Sequence, residues 1–309
     1  MILSIPTLKN IIAFSLFFFL KLAMAVPTES IAAKLKAFTS IEAQILSDQS
    51  MSATEQGKKF VATYKALFHQ DKTPATFDDL GAEDLEVLFL AASKAAFYSN
   101  SVPITGEMHA IFQKLHSAPQ AKPAHLSTMY TALLAARMLP EAQKFLAQYP
   151  GASSTPFPEF QTAKNIASAN ASEWSISSDG KTVTHQALDI GNGAQVLVIS
   201  YPDCHFSQNA AKAITANLKL RDLLKGHMKW VAPQSRNFDV GTIRQWNLDY
   251  SDFPMTIIYK QDDMPMIDYW GTPGFYFFKN GALKTKVIGW PREGRVNELM
   301  AGLKTIGIE

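Results

Sequence analysis

Gly271-Thr-Pro273-Gly-Phe-Tyr-Phe-Phe278-Lys-Asn-Gly281-Ala-Leu-Lys-Thr-Lys-Val-Ile-Gly289 is the stretch whose reading decides how the C-terminal part of this chain folds. Proline lacks an N–H, so Pro273 can open a strand but not continue one. The aromatic run after it alternates as a strand does. Lys279-Asn280-Gly281 supplies residues that tolerate positive φ and predicts a tight hairpin turn, with Leu283 to Ile288 returning antiparallel. Pro291 then opens a final helix carrying Val296, Leu299, Met300 and Leu303 on one side.

Upstream, Val196-Leu-Val-Ile-Ser-Tyr-Pro-Asp-Cys204-His-Phe-Ser207 holds the only cysteine of the chain. Gln195 to Ser200 is a near-continuous apolar run, the pattern of a strand buried within a sheet. Ser207 to Leu224 reads as helix, with Ala210, Ala213, Ile214, Leu218 and Leu224 on one face. Cys204 is therefore expected where a strand hands over to a helix. There, free N–H groups and the positive end of the helix dipole stabilise a thiolate. Around this core, Trp174 to Ile190 with the turn Ser178-Asp179-Gly180 reads as a hairpin. His227 to Val231 reads as a strand and Val240 to Trp246 as helix, while Phe253 to Tyr259 is either a strand or an extended insertion.

The region from 26 to 150 reads differently, as an all-helical domain. Ser30 caps a helix through Leu35, Phe38, Ile41 and Ile45. Stripes at helical spacing follow: Phe60, Tyr64 and Phe68; Leu85, Leu88, Phe89 and Ala92; Met108, Ile111, Phe112 and Leu115; Met129, Tyr130, Leu133 and Leu134. The pair Leu126–Met138 and Pro140–Tyr149 resembles a tetratricopeptide-type helical hairpin. No clean repeat period runs through the domain, so a degenerate array and an irregular bundle both fit. Pro150, Gly151, Pro156 and Pro158 mark residues 151–172 as a linker, and residues 173–309 as the second domain.

The N-terminus carries an apolar run, Ile11 to Leu20, followed by Ala23-Met24-Ala25, the pattern of a secretory signal over residues 1–25. Its removal would take Lys9 and Lys21 from the 29 basic residues and none of the 27 acidic ones, leaving a balanced mature chain. That balance argues against a nucleic-acid partner, and no membrane span is expected after cleavage. The chain is read as periplasmic or secreted, with a lean toward a Gram-negative periplasm. In that oxidising setting, one unpaired cysteine is either a buried inert side chain or pairs outside the chain. The seven His show no ligand spacing with Cys204, so no metal site is expected. Gly191-Asn192-Gly193 is a turn rather than a phosphate loop, Asp262-Asp263 a solvated loop, and a Gly-x-Ser-x-Gly elbow is absent.

Taken together, the Cys at a strand-to-helix junction and the later Gly-x-Pro before a Phe-Lys-Asn-Gly hairpin resemble the thioredoxin family over residues 194–309. The resemblance implies an α/β domain with a central mixed sheet flanked by helices, preceded here by the helical domain. It implies a cis-proline at Pro273, packed against the reactive Cys204, with Thr272 before it pairing with an extended substrate segment. The separation of Cys204 from Pro273 exceeds that of a minimal thioredoxin and implies an insertion within residues 246–270. One departure is serious: Ser207 stands where the family carries its second cysteine. Dithiol chemistry is therefore excluded, and monothiol exchange on protein substrates bearing cysteines or disulfides remains, completed by glutathione as co-substrate or by the substrate itself.

In this reading Cys204 is the nucleophile. A protonated His205 and the Ser207 hydroxyl favour its thiolate, Asp203 opposes it, and Thr272 and Pro273 bind substrate. No bound cofactor is expected. The rival reading is a redox-inactive scaffold that keeps the fold and binds a protein partner through its helical domain.

Overall fold

The computed structural model describes residues 30–48, 50–69, 77, 80–117, 122–164, 166, 171–234 and 240–309. The expected signal segment lies outside them.

Six helices come first: α1 (Ile31–Ser47), α2 (Ala53–Phe68), α3 (Ala82–Ser99), α4 (Val102–His116), α5 (Pro123–Ala135) and α6 (Leu139–Gln148). The starts of α1, α2 and α4 are fixed by serine side chains. Ser30 accepts from the Ala33 amide, and Ser52 and Glu55 cap α2 reciprocally. The apolar stripes meet in one core around Phe38, Phe60, Tyr64, Phe89, Met108, Phe112 and Leu133. The Phe60 and Tyr98 rings stack with centroids 4.1 Å apart.

The rest of the chain builds one eight-stranded mixed sheet in the order β1-β3-β2-β6-β5-β4-β7-β8. Its strands are β1 (Glu159–Thr162), β2 (Ser172–Ile176), β3 (Thr182–Ala187), β4 (Ala194–Ile199), β5 (Met228–Ala232), β6 (Met255–Ile258), β7 (Gly274–Lys279) and β8 (Ala282–Ile288). Strands β4, β5 and β6 run parallel, and β7 is antiparallel to both β4 and β8. Asn280 and Gly281, at φ 51° and 75°, make the tight turn between β7 and β8.

Period-2 alternation sends Val196, Val198, Phe275 and Phe277 to one face, where α7 (His205–Ala216), α8 (Leu218–Leu224), α9 (Val240–Asp249) and α10 (Val296–Thr305) pack. Leu197, Ile199, Tyr276 and Phe278 go to the other, under Leu188, Met264 and Ile267. A buried side chain of this size stabilises by roughly 1.5–3 kcal/mol, against about 0–1 kcal/mol for an exposed ion pair, so the sheet core sets the frame.

Several boundaries depart from the sequence reading. The stretch read as a linker contributes β1, parallel to β3 at the sheet edge. Within residues 253–259 the chain forms β6 (Met255–Ile258), which lies inside the sheet between β2 and β5, so the region read as an insertion supplies a structural strand. The single helix expected over 207–224 breaks at Asn217, whose extended backbone ends α7 and whose side chain caps α8 by accepting from the Leu220 amide. The last helix starts at Val296 rather than Pro291, because the chain first turns through Gly294 N–H to Pro291 O.

The helical layer and the sheet are tied at Arg137. Its side chain is half-buried, yet its guanidinium is enclosed by protein and donates to the carbonyls of Leu134, Ile258 and Tyr259. The guanidinium also lies 3.8 Å over the Trp174 ring. Gln234 adds a second tie, donating to Ala135 O and accepting from the Gln261 amide.

Candidate functional site

The register of two neighbouring strands assembles the site. Ile199, the last residue of β4, pairs with Gly274, the first of β7, so the segments leaving β4 and entering β7 emerge at the same end of the sheet. Cys204 follows β4 as the N-cap of α7, with extended φ and ψ of −81° and 112°, and its carbonyl accepts the first helical hydrogen bond from Gln208 N. Thr272 and Pro273 precede β7, and the peptide bond between them is cis. Cys204 Sγ lies 3.4 Å from the Thr272 carbonyl oxygen, to which the thiol donates.

Cys204 is partly exposed. Partial burial pushes the Cys204 thiol up. The Thr272 hydroxyl, the amide and hydroxyl of Ser207 and the Phe206 amide together pull it down by more, and the net is a thiol held below its ordinary value. Donation to the Thr272 carbonyl favours the thiol form, so the N–H and O–H donors decide the sign.

Ser207 is fully buried, and its Oγ has no hydrogen-bond partner. Toward the thiolate it is a donor. An orphaned buried hydroxyl that gains a partner only in one charge state favours that state.

Of the five residues singled out from sequence, the structure brings together Cys204, Ser207, Thr272 and Pro273. His205 is different: it is exposed, its ring lies on the Phe206 ring at 3.8 Å between centroids, and it is not among the groups that act on the sulfur. Asp203 is exposed as well. The groups that lower the thiol pKa are the Thr272 hydroxyl, the Ser207 amide and hydroxyl and the Phe206 amide.

Two features were not found from sequence. The Tyr269 ring folds over the backbone of Gly271, so closely that a Cβ there would lie 2.2 Å from ring atoms. Only glycine permits that approach, one residue before Thr272. Its signal was the Tyr269-Trp270-Gly271 run, which carries no periodicity. The other is an open cleft of about 780 Å³ beside Gly271, walled on one side by the end of α1, the start of α2 and the end of α3, and on the other by residues 268–271. Such a cleft joins residues distant in sequence and leaves no local pattern.

Among the described residues, no cluster of His, Cys, Asp and Glu could hold a metal ion, and no helix is long and apolar enough to cross a membrane. No protein-family model, no curated protein and no solved structure matches the chain.

Proposed function

We propose that the chain is a thioredoxin-like protein that performs monothiol disulfide exchange on polypeptide substrates through Cys204. The observation that carries this reading is the placement of a partly exposed cysteine, its thiol held below its ordinary pKa, with the sulfur 3.4 Å from the Thr272 carbonyl oxygen. Reactive cysteines occupy such microenvironments, whereas structural ones are buried in apolar surroundings.

In the first step the Cys204 thiolate attacks one sulfur of a substrate disulfide. A new S–S bond forms to Cys204, the old one breaks, and the departing sulfur leaves as a thiolate that takes a proton from solvent. In the second step a thiolate of the substrate, or of glutathione, attacks the substrate sulfur of the mixed disulfide, and Cys204 leaves as a thiolate. One disulfide is consumed and one is formed in each step. With the substrate's own thiol as second nucleophile the outcome is isomerisation.

A lowered thiol pKa helps in both steps: it raises the thiolate fraction for attack and makes Cys204 a better leaving group. Thr272 presents its backbone and hydroxyl beside the sulfur, and Ser207 stabilises the anion from below. The exchange is read as taking place in a periplasmic or secreted setting.

One observation favours a second reading, a redox-inactive scaffold: no other thiol exists in the chain to release a mixed disulfide. Trapping separates the two. The protein expressed with its native compartment intact is quenched with acid and alkylated, then resolved without reductant. The exchange reading expects mixed-disulfide species that vanish in the Cys204→Ala variant; a ladder identical in both leaves only the scaffold.

A further inference from the structure

The cleft beside Gly271 has the size of a ligand site and is lined by side chains that a monomer has no structural reason to expose. Leu46, Phe97 and Tyr269 are 44%, 39% and 50% exposed, and Trp270 joins them on the wall. Phe97 ends α3, Leu46 ends α1, and Tyr269 and Trp270 lead directly into Gly271 and Thr272. Exposed aromatics of this kind are the anchors of peptide-binding surfaces, rigid and amphipathic at small entropic cost.

The charge of the cleft is one-sided. Asp48, Glu55 and Asp268 line it against Lys286 alone, and Lys286 pairs with Asp268. Asp48 is held ionised by hydrogen bonds from the Ser50 hydroxyl and amide, and Glu55 by those from Ser52. Neither has a cationic side chain in ion-pair contact among the described residues. A ligand bearing cations and apolar groups together would match both features.

The cleft also borders the segment that carries the candidate site. Gly271 belongs to its wall, and the next residue, Thr272, touches the Cys204 sulfur. A chain that runs from Cys204 along residues 269–271 would meet the walls formed by α1 and α3.

We infer that this cleft holds the substrate segment flanking the exchanged cysteine, an extended polypeptide carrying apolar side chains for Phe97 and Tyr269 and Lys or Arg for Asp48 and Glu55. This inference rests on the exchange reading for its substrate, and adds to it a selectivity that Cys204 and Thr272 alone do not supply. The helical layer then serves as one wall of the substrate site.

The test uses the full chain and short synthetic peptides in which serine replaces the cysteine, so that binding is read without covalent capture. An apolar-basic peptide is expected to bind at least about tenfold more tightly than its charge-reversed counterpart. Phe97→Ala combined with Tyr269→Ala should weaken it about tenfold or more, since truncated aromatic anchors commonly cost that much. Both side chains are exposed, so the fold should survive, as circular dichroism would verify. Asp48→Asn with Glu55→Gln should abolish the preference between the two charge patterns while leaving apolar binding in place.

Equal binding of all peptides, or binding indifferent to these substitutions, overturns the inference. So does a concentration-dependent dimer that Phe97→Ala and Tyr269→Ala dissolve, which would make a second copy the occupant. Cysteine-bearing peptides then separate the two levels. Mixed disulfides formed regardless of peptide sequence leave the exchange standing and the cleft assignment lost. Selective binding of the serine peptides with no mixed disulfide from their cysteine forms does the reverse.

Discussion

Cys204 Sγ and the Thr272 carbonyl oxygen, 68 residues apart in the chain, meet at 3.4 Å because β4 and β7 pair with Ile199 opposite Gly274. The sheet register thus fixes the contact that the proposed exchange relies on. Its first consequence is thermodynamic. The folded-state pKa of Cys204 lies below its unfolded value. The stability this contributes is fully present above the unfolded thiol pKa of about 8.5 and is lost as pH falls through the folded value. The melting-temperature difference between the native chain and Cys204→Ala should therefore move in favour of the native chain as pH rises through that window. A difference independent of pH would mean that the sulfur has no depressed pKa.

Ser207 separates function from stability. Ser207→Ala removes a buried hydroxyl that has no hydrogen-bond partner, so the fold should lose little, within about 1 kcal/mol, or gain. The same substitution removes a donor to the thiolate, so the Cys204 pKa should rise. Thermal melts and thiol alkylation on one variant check both halves. A large loss of stability with an unmoved pKa would make Ser207 a packing residue only.

Arg137 should be the most sensitive single tie between the helical layer and the sheet. Arg137→Ala strands the carbonyls of Ile258 and Tyr259 and empties the face of Trp174, an expected cost of about 3–5 kcal/mol by urea unfolding. Burial draws the guanidinium pKa down to about 9, so the group still carries its charge at neutral pH. Arg137→Lys should recover little, because one ammonium cannot reach the carbonyls as a planar fork while lying flat on the indole. Full recovery by lysine would show that only the charge matters.

Gly302 tests the packing under the site. It sits on α10 against Phe277 of β7, and a Cβ there would come 2.5 Å from the ring. Because that ring is fully buried and cannot swing away, Gly302→Ala should cost about 1–3 kcal/mol. Chemical denaturation measures it, and a neutral result would show that α10 shifts freely on the sheet.

What could be read from the sequence was whatever local pattern dictates. The β7–β8 hairpin announced itself through Asn280-Gly281, and the approach to Cys204 through the apolar run of β4. The helical stripes of α3 and α4 are the buried faces found in the structure. Elements fixed by partners far along the chain were less legible. β6 is a short apolar run that becomes a strand because β2 and β5 flank it, and β1 is mostly exposed and pairs in the sheet with β3 alone among the described residues. Asn217 breaks one amphipathic stripe into two helices through a side-chain cap that periodicity does not register. For the candidate site, the residue types singled out Cys204, Ser207, Thr272 and Pro273, which the structure brings together. They also suggested His205, which the structure places against Phe206 instead. Arg137 and the cleft carried no signal, since each is made by residues from separate parts of the chain.

The most direct measurement is the rate at which Cys204 forms a mixed disulfide with glutathione disulfide, followed by mass across pH. The rate is expected to have its midpoint below the ~8.5 of a free thiol, and a second thiol is expected to discharge the adduct quantitatively. A midpoint at or above that value, with capture slower than free cysteine, would contradict the proposed exchange.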